Sequence, residues 1–149
     1  LPANLKKIGG SAFYECKSLA GTLTLPESLE EIGGFCFTQC NMLEGTLTIP
    51  HKLKIIQGYT FAHCNFSGDL IIPEGVIEIG DGAFGSLLSG AGSHNYFKSI
   101  SLPKSLKSIG EDAFYECNIQ GELVIPASIH ILPRFCFCNN KWGSFVCKK

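Results

Sequence analysis

At 149 residues the chain has the length of one ordinary domain. Its 45% hydrophobic content argues against a disordered polymer, and its formal net charge of −1 gives no electrostatic footprint for nucleic acid or an anionic membrane surface. No apolar run approaches the roughly 18 residues of a membrane helix, and the sequence shows no signal peptide or lipidation motif.

Along the chain, six of the seven prolines mark the same point in a repeating unit: Pro2, Pro26, Pro50, Pro73, Pro103 and Pro126. They are 24, 24, 23, 30 and 23 residues apart. A period in the twenties predicts a stacked solenoid, in which each unit buries its apolar residues against its neighbours. The unit reads P-x-x-L-x-x-I-G-x-x-A-F-x-x-C, then a turn, then G-x-L-x-I, as in Pro26, Leu29, Ile32, Gly33, Cys36, Phe37, Cys40, Gly45, Leu47 and Ile49. The first copy opens on Leu1, in the column of Leu25 and Ile49, so the expectation is a fragment of a longer array, with residues 1–149 as a single repeat domain. The last copy is degraded, with Pro133 in the glycine place and Asn140 in the cysteine place.

Within each unit, G-x-L-x-I alternates apolar residues with others, which is the period of a strand. Leu23 and Leu25, Leu47 and Ile49, Leu70 and Ile72, Ile100 and Leu102, and Leu123 and Ile125 should point inward. Proline ends the strand because it lacks the N–H of the ladder. The A-F-x-x-C piece is too short for a stable helix and is read as a 3₁₀ or single helical turn. Phe13, Phe37, Phe61, Phe84, Phe114 and Phe137 should form one internal ladder. Outside, Lys6 and Lys7 should lie beside Glu30 and Glu31, a charge alternation that fixes register.

The stretches L-K-K-I-G-G-S-A-F-Y-E-C at residues 5–16 and L-K-S-I-G-E-D-A-F-Y-E-C at residues 106–117 resemble the BspA-like leucine-rich repeats. The resemblance covers essentially the whole chain. It implies a leucine-rich-repeat solenoid of the α/β horseshoe class, with about six repeats of short parallel strands joined by 3₁₀ or single helical turns. The family is known from surface and secreted proteins of gut and oral bacteria and parasitic protozoa, and some members bind host matrix proteins. It carries over no catalytic residues, metal ligands or cofactor, so the chain is expected not to be an enzyme.

Eight cysteines invite a disulfide or zinc reading, but their columns suggest buried thiols. Cys16, Cys40, Cys64 and Cys117 fall three places after the ladder phenylalanine, Cys36 and Cys136 share a column with alanines, and Cys147 takes an inward strand place. Cys138 is expected to be the exposed thiol. His51, His63, His94 and His130 occupy different columns without metal spacing. His63 beside Cys64 is a weak case for a nucleophilic pair, because neighbours in a tight turn seldom point at each other. The sequon at Asn65-Phe66-Ser67 matters only in a secreted eukaryotic chain.

The fourth unit is longer by about seven residues, within residues 88–97. Its Gly90-Ala91-Gly92 reads as a flexible loop, and His94, Asn95, Tyr96 and Phe97 are candidate contact residues, with a neutral excursion that tucks Phe97 onto the core as the competing reading. The outward strand face offers a second candidate surface: Thr22, Thr24, Thr46, Thr48, Asp69, Ile71, Ser99, Ser101, Glu122 and Val124. The function expected is non-catalytic binding of an extracellular protein or glycan at a cell surface, with no nucleic acid and no membrane insertion. A structural spacer with no ligand of its own is the alternative. Weak self-association is expected through the N-terminal end, where Leu5, Ile8 and Phe13 lack a preceding unit, whereas Trp142 and Lys148-Lys149 should protect the C-terminal end.

Overall fold

The computed structural model describes residues 1–86 and 94–147, with Cys147 described by its backbone only. The loop calls at residues 88–93 and the lysines 148 and 149 lie outside them. The chain winds through successive units of parallel strands, with no helix among the described residues. Strands β2 (Gly21–Thr22), β4 (Leu43–Thr46), β6 (Asn65–Ile71) and β8 (Tyr96–Ser101) form one parallel sheet, and β10 (Gln120–Ile125) pairs in parallel with β11 (Lys141–Cys147). The expected inward residues Leu23, Leu25, Leu47, Ile49, Leu70, Ile72, Leu123 and Ile125 are buried, and Ile100 and Leu102 are half-buried. Gly21, Gly45, Gly68 and Gly121 near the strand heads all have positive φ, between 76° and 89°. At Gly68 the ladder slips by one place: Gly68 pairs with Phe97 and Asp69 with Ser99, leaving Lys98 as a bulge.

A second ladder was not anticipated. The isoleucine of P-x-x-L-x-x-I and the residue before it form two-residue strands: β1 (Lys7–Ile8) with β3 (Glu31–Ile32), and β5 (Ile55–Ile56) with β7 (Glu78–Ile79) and β9 (Ser108–Ile109). The β1/β3 register sets Lys7 opposite Glu31, and their charged groups meet at 2.8 Å. This pair is more than half exposed at both ends, so it fixes register more than it stabilises.

The phenylalanine segment is neither α nor 3₁₀. The N–H groups of Ser11, Phe13 and Glu15 donate to the carbonyls of Gly34, Cys36 and Thr38 of the next unit, each at 2.9 Å. The intervening N–H groups close local turns, Tyr14 to Ser11 and Cys16 to Phe13, both at 3.1 Å. Alternate donors thus point along the solenoid axis and back into the turn. This requires left-handed backbone at the first and last axial donors, and Ser11 and Glu15 have φ of 56° and 54°. The pattern recurs at Phe35 and Gln39, Tyr59 and His63, Asp112 and Glu116, and Phe135 and Asn139. Left-handed backbone costs roughly 1–2 kcal/mol per residue; here it leaves the buried N–H groups paired.

Inside, the ladder Phe13–Phe37–Phe61–Phe84–Phe114–Phe137 is continuous, with centroids 5.0 to 6.0 Å apart and rings within 15° of parallel. Phe66, Phe97 and Trp142 pack edge-on against Phe61, Phe84 and Phe137. The ladder carbonyls are capped by side chains of the following unit. Cys40, Cys64 and Cys117 donate their thiols to Phe13, Phe37 and Phe84 at 3.1, 3.1 and 3.2 Å. Asn95 and Asn140 do the same to Phe61 and Phe114 at 2.9 and 2.7 Å.

Several expectations need correction. Cys16 is exposed and caps no ladder carbonyl among the described residues, and Cys138 is only half-exposed. Ile8 is buried despite its place at the end of the stack, while Leu5 and Phe13 are half-buried. Trp142 does cover Phe137, yet the C-terminal end is not the better protected one: Ile131 is 77% and Phe145 57% exposed. Pro133 and the degraded last unit leave these apolar side chains without a partner unit among the described residues.

Candidate functional site

The strand-face residues lie where the alternation places them. Thr22, Thr24, Thr46, Thr48, Asp69, Ile71, Ser101 and Glu122 are exposed, and Ser99 and Val124 are half-buried. Cross-strand contacts tie some of them down. The Ser99 hydroxyl donates to Asp69 Oδ1 at 2.6 Å, and Thr46 Oγ1 lies over Gly68, where a Cβ would approach it to 2.9 Å. The result is a shallow field of small hydroxyl side chains.

The candidate loop splits into two pairs. Asn95 and Phe97 are buried, 1% and 0% exposed, so neither is a contact residue. Phe97 joins the edge-on aromatic column, and the Asn95 amide donates to the carbonyls of Phe61 and Phe84 and accepts from the N–H of Phe66. Burial of an amide with these partners is favourable only in this one orientation, which fixes where the longer unit rejoins the stack. Tyr96 is 46% exposed, and the His94 side chain 24%. Tyr96 and Phe97 open strand β8 on opposite faces, Tyr96 out and Phe97 in, and Asn95 just before the strand is buried as well.

Around His94 and Tyr96 a cavity of about 460 Å³ opens, lined also by Glu116, Asn118 and Asn139. Its polar groups are already held in place. Asn139 Nδ2 donates to Tyr115 Oη at 2.9 Å and to Glu116 Oε1 at 3.1 Å, while Glu116 Oε2 lies 3.8 Å from His94 Nδ1. That imidazole nitrogen is buried as an atom and has no hydrogen-bond partner among the described residues. The Tyr115 phenol is pushed above its ordinary range, first by desolvation and then by the negative Glu116, so it is protonated at neutral pH. Glu116, Asn118 and Asn139 all have φ between 53° and 56°, the left-handed region that Asn tolerates better than most residues. These three were missed in the sequence because the repeat pattern leaves their columns variable. Asn139-Asn140, beside a degraded repeat, was the available signal.

Five of the thiols are held protonated by burial. Burial pushes Cys64 and Cys117 far up, and Cys36, Cys40 and Cys136 up to about 11. The Cys64 thiol donates a hydrogen bond to the Phe37 carbonyl, and His63 faces the Ser86 hydroxyl at 3.3 Å. Asn65 of the sequon sits in β6, paired with Glu44, ahead of the fully buried Phe66.

The fold has solved counterparts. A leucine-rich repeat protein from Bacteroides ovatus ATCC 8483 superposes with a TM-score of 0.68 at 23% identity, over 95% of this chain and 41% of that one. A leucine rich cell surface protein from Faecalibacterium prausnitzii A2-165 superposes with a TM-score of 0.59 at 19% identity, over 99% of this chain and 46% of that one. The chain thus spans less than half the length of either. No curated protein matches it. Six copies of the BspA type leucine rich repeat region match residues 1–90 and 89–149, and the chain belongs to that family.

Proposed function

We propose that the chain is a non-catalytic binding module, displayed at a cell surface, that recognises a glycan or an extracellular protein. The observation that carries this reading is the cavity of His94, Tyr96, Glu116, Asn118 and Asn139. It sets an imidazole, a carboxylate and two amides beside an exposed phenol ring. Planar donors and acceptors held in place next to an aromatic face suit the hydroxyl groups and apolar face of a sugar ring. The surface assignment draws on the Faecalibacterium protein described as a cell surface protein, and on the family.

The test is a binding screen of the chain against a glycan array and a panel of extracellular matrix proteins, repeated with His94→Ala and Glu116→Gln. A ligand retained by the parent and weakened at least about tenfold by both variants, the loss of one or two charge-assisted hydrogen bonds, supports the cavity. Binding unaffected by either variant moves the function to the strand face of Thr22, Thr24, Thr46 and Thr48. The absence of any ligand favours the spacer.

A further inference from the structure

A second, independent feature lies on the other left-handed column of the turn. Its members are Ser11, Phe35, Tyr59, Gly82, Asp112 and Phe135. Three are aromatic residues with φ of 58°, 57° and 54°, a backbone that bulky side chains rarely adopt. Phe35 is 43% exposed and stacks on Tyr59 at 4.8 Å and 27°. Tyr59 in turn lies against Gly82, where any Cβ would come within 2.1 Å of the ring. Glycine there seats one face of the Tyr59 ring on backbone, and Phe35 heads the stack.

In the last unit the same column shows what chemistry such a ring takes. Arg134 places its guanidinium carbon 4.6 Å from the centroid of Phe135. The residue in the place of Arg134 is Gly34 before Phe35 and Gly58 before Tyr59, so neither ring is covered from its own unit. A cavity of about 470 Å³ opens there instead, lined by Gly34, Phe35, Gly58, Tyr59, Glu78 and Asp81 among others. Both charged lining residues are acidic. Glu78 is exposed and has no cation within ion-pair distance among the described residues. Asp81 gives one carboxylate oxygen to the N–H of Glu111 at 2.9 Å. Glu111 and Asp112 add further negative charge near Tyr59, whose phenol is pushed up by burial first and then by Asp81, Asp112 and Glu111.

We infer that this groove receives an arginine side chain from a partner polypeptide, its guanidinium on the face of Phe35 that Tyr59 leaves free and drawn there by the acidic lining of Glu78 and Asp81. A guanidinium is planar and weakly hydrated, so it can lie flat on an aromatic ring while its charge is attracted by nearby carboxylates. The partner's arginine occupies the place that Arg134 fills from within the last unit. An ammonium shares the charge but not the plane, so lysine is the discriminating competitor.

The test is isothermal titration of the chain with hexa-arginine, hexa-lysine and a neutral hexasaccharide, with Phe35→Ala, Glu78→Gln and Gly34→Arg as variants. Hexa-arginine should bind at least about fivefold more tightly than hexa-lysine, and Phe35→Ala should remove a similar factor, the size of a partly desolvated cation–π contact. Gly34→Arg should block the site from within, as Arg134 does at Phe135. A Cβ at Gly34 comes to 3.1 Å of the Gly58 carbonyl oxygen, so this variant needs a melting curve beside it; if it does not fold, Phe35→Ala and Glu78→Gln decide alone. His94→Ala should bind hexa-arginine as the parent does, which separates this site from the glycan cavity. Equal affinity for the two peptides with no effect of Phe35→Ala would mean diffuse charge attraction and overturn the proposal. So would no detectable binding of hexa-arginine, or a hexasaccharide bound in a Phe35-dependent way.

Discussion

Replacing Asn95 by alanine isolates the device that lets the longer unit rejoin the stack. Asn95 is 1% exposed, and its amide serves the Phe61 carbonyl at 2.9 Å, the Phe84 carbonyl at 2.8 Å and the Phe66 N–H at 3.1 Å. Phe84 keeps the Cys117 thiol as a donor in the variant, so two buried groups lose their partner, the Phe61 carbonyl and the Phe66 N–H. At about 1–3 kcal/mol for each orphaned group, Asn95→Ala should destabilise the protein by about 2–6 kcal/mol. Asn95→Cys should cost less. A thiol at this place can cap the Phe61 carbonyl as Cys40 and Cys64 cap Phe13 and Phe37, but it cannot accept from Phe66. Urea unfolding followed by circular dichroism measures both, provided the denaturant slope is unchanged. A loss under about 0.5 kcal/mol for alanine, within the range of an ordinary surface change, would refute the capping argument. So would a cysteine variant no better than alanine.

Phe61 stacks between Phe37 and Phe84 at 6.0 and 5.6 Å and is fully buried, so Phe61→Ala should cost about 3–5 kcal/mol; a melting temperature lowered by only a degree or two would remove the ladder from the stability argument. Ellman titration in native buffer at pH 8 should label Cys16 first and leave Cys64 and Cys117 unreacted until denaturant is added. Prompt labelling of all the cysteines would contradict it. The same burial makes stability fall in alkali. Cys36, Cys40 and Cys136 hold their protons up to about 11 when folded and release them near 9 when unfolded, so the unfolded state sheds protons first and stability declines as pH rises from 9 to 11. Urea midpoints that stay flat across that window would mean the thiols are hydrated in the folded state.

Proline spacing and the recurring phenylalanine made the stacking legible in the sequence, because burial against like columns imposes like residues at fixed intervals. The short strands β1, β3, β5, β7 and β9 were not legible: two residues have no period to read. Nor was the turn. Its geometry depends on backbone donors shared between units, and those leave no side-chain signature beyond a tolerance for left-handed φ. The cysteine column was read as packing, yet Cys40, Cys64 and Cys117 act as donors, which explains why asparagine can replace them. The replacement follows the length of the preceding turn. Leu43 N–H reaches the carbonyl of Cys40 three places back, but Phe66 and Ile119 stand only two places after Cys64 and Cys117. Their N–H groups take the side-chain oxygens of Asn95 and Asn140 from the next unit instead.

That division of labour explains why both candidate sites sit on the turn columns. From the second unit on, the phenylalanine and the cysteine or asparagine cap are committed to the stack. The two left-handed positions are bound through their backbone, so their side chains vary from unit to unit, from the buried His63 to the exposed Phe35, without disturbing the ladder. One column supplies Glu116 and Asn139 to the cavity beside His94, and the other supplies Phe35 and Tyr59 to the acidic groove. The strain of left-handed backbone falls on residues such as Phe35 and Glu116, whose side chains pack on their neighbours in the turn, Tyr59 and Asn139, and not on the phenylalanine ladder. Glycine would form the same turn more easily but would remove the ring and the carboxylate from the two candidate sites.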